Sequence, residues 1–170
     1  SYYEGDYFVD FVMKYEVDSY NENNATIWLL LSNFHAYKSH HICLLYGIKT
    51  ATSVPGAANS SAVWINNYDV VYHFTEEGAT TNRTDSTGKG HYASPQNFGT
   101  ESSVVGITGL GNYFSRTANQ HMAMNYYYPA DHVIDEITVC SIVKSSETTS
   151  IGFLVSMDRS EFWRLATSDG

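Results

Sequence analysis

The chain is expected to be all-β, an antiparallel two-sheet sandwich of the jelly-roll kind, and three observations carry that expectation. First, residues 131–143 read DHVIDEITVCSIV. From Val133 onward, Val133, Asp135, Ile137, Val139, Ser141 and Val143 fall on one side of an extended chain, and Ile134, Glu136, Thr138, Cys140 and Ile142 on the other. That period of two marks a strand. Second, about ten runs of aliphatic, aromatic and β-branched residues recur between short turn signals, the spacing of a sandwich. Third, no stretch of ordinary helix length carries apolar residues at the helical period. A chain of 170 residues is one domain by size, 1–170, and can bury about 70% of the surface its unfolded form exposes, so its core needs no metal or staple.

In chain order, residues 7–17 (YFVDFVMKYEV) alternate as a strand with one polar face, and 19–25 (SYNENNA) form a turn rich in Asn, which tolerates left-handed backbone. Residues 26–34 (TIWLLLSNF) are apolar on both faces at their centre, as in a covered central strand. The polar connection 35–40 leads into a strand at 41–50 (HICLLYGIKT), closing a hairpin, and 51–61 is a loop with Pro55-Gly56. Residues 62–65 and 68–74 flank Asn66-Asn67, which suits a two-residue hairpin turn; one continuous strand is the alternative. Residues 75–103 hold four glycines and almost no aliphatic side chain, so they read as a long, exposed, irregular loop of the kind that carries function. Beyond it lie strands at 104–108, 121–128 (stopped by Pro129), 133–143, 150–157 and 160–166. Gly109-Leu-Gly111 reads as a turn, 113–118 is open between states, and the last strand has a short helical turn as its alternative.

Composition narrows the function classes. The 14 tyrosines, 8 phenylalanines and 3 tryptophans, with only 16% charged residues, fit an extracellular protein. With 9 Lys plus Arg against 18 Asp plus Glu, the net charge of -9 repels polyanions, and no basic cluster offsets it, so no nucleic-acid partner is expected. No run approaches the roughly 18 apolar residues of a membrane span. No basic segment leads an apolar one at Ser1, which reads as a mature terminus. Asn24-Ala-Thr26, Asn59-Ser-Ser61 and Asn82-Arg-Thr84 are glycosylation candidates, although sequons arise by chance in so Ser- and Thr-rich a chain. Cys43 and Cys140 are either one disulfide or two buried thiols. Both lie in apolar runs, and a bridge between facing strands, closing about 100 residues, is the favoured reading and is worth about 4–5 kcal/mol.

Signatures of catalysis are missing from the sequence. His40 and His41 point to opposite faces of a strand and do not chelate together with His35. There is no Gly-x-Ser-x-Gly elbow, and Gly88-Lys-Gly90 lacks the spacing of a phosphate loop. Asp135 and Glu136 diverge, so they are not a catalytic pair, although one of them could bind a cation with loop oxygens. Neither catalysis nor a bound cofactor is therefore expected. The Tyr-, Asn- and Gly-rich loops instead supply aromatic faces and amides, the chemistry that binds sugars. Trp64, Asp85, Tyr92 and Asn97 are the candidate ligand-binding residues, and Tyr2, Tyr3, Tyr20, Tyr37 and Tyr92 are expected to be exposed.

Two segments resemble the concanavalin A-like jelly rolls, in particular their laminin-G-like branch. Residues 5–14 (GDYFVDFVMK) are similar to the early strand that a Gly-Asp leads into, and residues 133–139 (VIDEITV) are similar to the late strand with its Ile-Asp-Glu. The middle of the chain lacks the family's Trp-His-His segment and Asp-Gly turn, as well as the glycine before the late strand. The resemblance implies two curved antiparallel sheets, calcium near the loops as an option, and non-catalytic binding of glycans or cell-surface ligands. The alternative expectation is a self-assembling subunit of a filament, capsid or matrix, a homo-oligomer built through Tyr-rich surfaces and the N-terminal strand.

Overall fold

The computed structural model describes residues 2–4, 7–9, 13–20, 22–32, 34–44, 59–99, 103–125, 135–146, 152–156 and 164–167, with backbone alone at 2–4, 7–9, 152–154 and 164–167. Contacts divide the chain into two units, Ser1–Tyr127 and Tyr128–Gly170. Among the described residues the strands pair in small antiparallel sheets and the one helix is a single turn, so the chain is all-β.

In the first unit, β1 (Tyr2–Glu4) pairs with β2 (Tyr7–Val9), and β3 (Tyr15–Tyr20) pairs with β4 (Ala25–Leu29). Glu16 faces Trp28 across the second hairpin, and the register slips between Val17 and Ser19, leaving Asp18 as the extra residue of a bulge. Leu30 N–H extends the ladder by one bond, to Lys14 O at 3.0 Å. The single strand expected over 7–17 is therefore interrupted, with Met13 and Lys14 outside both β2 and β3. The strand expected to reach residue 34 ends at Leu29, and Leu31 and Phe34 are exposed. A strand persists only as far as its partner offers bonds, and β3 begins at Tyr15.

Residues 60–63 form a helical turn, α1 (Ser60–Val63), in place of the first arm of a hairpin. Asn59 decides this: its Oδ1 accepts from Ala62 N–H at 3.3 Å and from the Ser61 hydroxyl at 2.8 Å, the capping role short polar side chains fill. Asn59 N–H bonds Tyr15 O at 2.9 Å, docking the turn on β3. Asn67 does take a positive φ of 58°, as a turn residue should, but residues 64–82 contain no strand.

The polar stretch 75–103 is irregular over most of its described residues, as expected, but not throughout. It holds β5 (Arg83–Thr84) and β6 (Tyr92–Gln96) and runs into β7 (Ser103–Gly106), which pairs with β8 (Gly109–Asn112). β6 also pairs with β9 (His121–Met124), giving the order β5-β6-β9. Pro95, which has no N–H, lies beyond the reach of β5, where only β9 flanks the strand. Arg83 and Ala93, opposite each other, are both 0% exposed, and Asp85, Ser86 and Thr87 are buried too. Exposure fails as an expectation only around Arg83, where internal hydrogen bonds, rather than apolar side chains, let residues 83, 85–87 and 93 be buried. Arg83 donates from Nε to Asn112 Oδ1 at 2.7 Å, from Nη1 to Thr81 O and from Nη2 to Gly78 O at 3.3 Å. Burial lowers its pKa, opposed by Glu76 nearby.

The β7–β8 hairpin occupies residues that read as a strand and a turn; its own turn is Ile107–Thr108, one step earlier than Gly109-Leu-Gly111. It packs on β3 at Gly109, where φ is +106° and an added Cβ would lie 2.6 Å from Ser19 Oγ.

In the second unit, β10 (Gly152–Ser156) pairs with β11 (Arg164–Thr167), agreeing with the strands expected there. The alternating stretch 131–143 does not: residues 131–134 lie outside the described residues, and 135–146 contain no strand, with Ile137, Ile142 and Val143 exposed. Alternation prepares a chain for a ladder, but a strand exists only where a partner is found. Cys43 and Cys140 are both free and exposed, so the expected disulfide is absent. Residues 41–44 and 135–146 are not strands, so they do not form the facing core strands on which the bridge was expected. The exposure expected of Tyr20, Tyr37 and Tyr92 is found, while the side chains of Tyr2 and Tyr3 lie outside the described residues.

Candidate functional site

The densest constellation of chemistry sits over the β3–β4 hairpin. Glu16 and Asp18, two apart on a strand, share a face, and the register brings Trp28 onto that face opposite Glu16. Trp28 Nε1 donates to Asp18 Oδ2 at 3.2 Å. α1, docked on Tyr15, delivers the next residue, Trp64, whose Nε1 donates to Glu16 Oε2 at 2.5 Å. Ser86 donates its hydroxyl to Glu16 Oε1 at 2.7 Å.

His73 completes the group, with Nε2 3.2 Å from Glu16 Oε2 and Nδ1 3.9 Å from Asp18 Oδ2. Its ring stacks on Trp28 (centroids 5.1 Å, 21°) and leans on Trp64 (5.6 Å, 47°). The side chains of Glu16, Asp18 and His73 are 12%, 2% and 11% exposed, so these groups are held in a largely dry, aromatic setting. Phe74, next in sequence, has a φ of 60°, strained for a bulky residue at about 1–2 kcal/mol. The strain falls where the chain turns His73 toward the carboxylates.

A second set of bonds braces the surroundings. Asp85 Oδ1 accepts from Val71 N–H (3.1 Å) and Thr87 N–H (3.0 Å), and Oδ2 from the Thr87 hydroxyl (2.6 Å). Ser86 N–H returns to Val71 O at 2.9 Å. Burial, with Asp85 adding to it, pushes the Tyr72 phenol up to about 12. At the rim, Tyr68 meets Trp64 edge to face (5.1 Å, 83°), and Lys89 Nζ pairs with Asp69 Oδ1 at 3.1 Å.

The structure places the four residues singled out from sequence in two groups. Trp64 lies in the cluster, and Asp85 stands behind it, its carboxylate spent on internal bonds. Tyr92 opens β6 and Asn97 follows its last residue. Asn97 Nδ2 donates to Asn119 O at 3.1 Å, and among the described residues no hydrogen bond or ring contact joins Tyr92 or Asn97 to the Trp64 cluster. Glu16, Asp18, Trp28, His73 and Ser86 were missed. The shared face of Glu16 and Asp18 was legible in their spacing, but their partners depend on hairpin register and on contacts up to 70 residues away.

Of the sequon residues, Asn24, Asn59 and Asn82 are all exposed; Asn59 caps α1, and Asn82 Oδ1 accepts from the Ser94 hydroxyl at 3.0 Å. Among the described residues, no group of three His, Cys, Asp or Glu side chains is placed to hold a metal ion, and no helix is long and apolar enough to cross a membrane. Comparison with known proteins found no matching family model, no matching curated protein and no matching solved structure.

Proposed function

We propose that this chain is an extracellular, non-catalytic β-rich module, a concanavalin A-like jelly roll, that recognises a carbohydrate or cell-surface ligand. One observation carries the reading: a cluster of aromatic rings fixed by the buried carboxylates of Glu16 and Asp18 reaches the surface at Tyr68, with exposed amides beside it. Aromatic faces cover the C–H patches of sugars, and fixed polar groups orient their hydroxyls. Ser86 and His73 each reach Glu16, so the carboxylate is the hub of the cluster.

Self-assembly is the second reading, favoured by the tip of the β7–β8 hairpin, where Val105 and Ile107 are 90% and 83% exposed. Glycan-array binding measured beside sedimentation over a dilution series separates the two. A concentration-independent mass with ligand retention is expected. A mass that grows with concentration, is reduced by Val105→Lys and comes with no glycan retained would replace recognition by assembly.

A further inference from the structure

Resting on that reading, we propose that the ligand is met by the turn at residues 65–69, with Tyr68 as the stacking platform, and that it is an uncharged pyranose. Tyr68 is 46% exposed, yet its ring is not loose, because it makes a T-shaped contact with Trp64. Trp64 is in turn tied to Glu16. An exposed ring held from behind can cover a sugar without first being ordered, which is the advantage of preorganisation.

The rim around Tyr68 is polar and available. Asn66 and Asn67 are exposed in a tight turn closed by Asn67 N–H to Ile65 O at 3.0 Å, and among the described residues their side-chain amides are unbonded. Amides of this kind both donate to and accept from hydroxyl groups. Asp69 and Lys89 face solvent as a pair and cancel each other's charge. Asp85 braces both sides, holding Val71 N–H next to the turn and, through Thr87, the loop whose Lys89 N–H bonds Thr87 Oγ1 at 3.3 Å. Asp85 is thus a positioning residue, and Trp64 supports the platform without being the platform.

Charge selects the ligand class. A locally neutral rim on a chain of net charge -9 offers no counter-ion for a sialylated or uronic sugar, whereas hydroxyl-rich neutral sugars lose nothing there.

The test is binding of neutral and acidic oligosaccharides to the wild-type chain, Tyr68→Ala, Tyr68→Phe, Asn66→Ala and Tyr92→Ala, each checked by circular dichroism and melting midpoint. Wild-type, Tyr68→Phe and Tyr92→Ala should retain neutral sugars, and Tyr68→Ala should lose about tenfold or more in affinity. Asn66→Ala, an exposed truncation, should weaken binding and decides the matter if Tyr68→Ala does not fold. Full affinity in both Tyr68→Ala and Asn66→Ala, with loss in Tyr92→Ala, would overturn this site while leaving a recognition module. Retention of acidic sugars alone would overturn the ligand class. Binding of no glycan by the wild-type chain would sink the recognition reading itself.

Discussion

Glu16 shows how much one side chain can organise: its two oxygens take an indole N–H, a hydroxyl and an approach from an imidazole, all from segments distant in sequence. Replacing it with Leu leaves those groups facing an apolar side chain in a largely dry site. We expect Glu16→Leu to cost about 2–4 kcal/mol in urea unfolding, with Glu16→Gln, which keeps an acceptor oxygen, costing less. A loss below about 0.5 kcal/mol for the Leu variant would show that the hub holds nothing together. Tyr72 makes a second prediction at this scale. Its phenol is raised from 10.0 to about 12 by burial and then by Asp85, so the folded chain keeps a proton that the unfolded chain releases. Its contribution is fully present below pH 10 and is lost as pH rises from 10 toward 12. Absorbance titration of phenolate should show a late component that Tyr72→Phe removes, and that variant should lose less stability over the same window.

Elements in this chain are held by backbone fit as much as by apolar burial. Gly109 is where β8 lies against β3, with a positive φ that an L side chain rarely adopts and Ser19 Oγ inside contact distance of any added Cβ. Gly109→Ala should therefore destabilise by about 1–2 kcal/mol, and adding Ser19→Ala should recover only the steric part, because the φ penalty remains. Equal stability of Gly109→Ala and the wild-type chain in thermal melts would mean that this hairpin does not pack on β3 as described. The same reasoning explains α1: a four-residue helix is marginal alone, and Asn59, bonded forward to Ala62 and back to Tyr15, holds it in place.

For the whole molecule, the state of the two cysteines is the sharpest check. Both thiols should react with a thiol reagent under native conditions, giving two equivalents without denaturant, because Cys43 and Cys140 are free and exposed. Zero equivalents until reduction would restore the bridge. At this scale the sequence alone determined the all-β class, the Asn-rich turn after β3, the strands at β10 and β11 and the solvent exposure of Tyr20, Tyr37 and Tyr92. These follow from local alternation, turn chemistry and the lack of a helical period, all of which act over a few residues. What only the tertiary structure decided is which runs found partners. Residues 135–143 alternate but remain unpaired among the described residues, whereas the polar stretch around Arg83 pairs and is buried. Trp64 meets Glu16 across 48 residues of chain, so the candidate site could not be read from spacing. A β-ladder and a buried hydrogen-bond hub are both made of contacts distant in sequence, and pattern within a run sets the readiness for such contacts but not the partner.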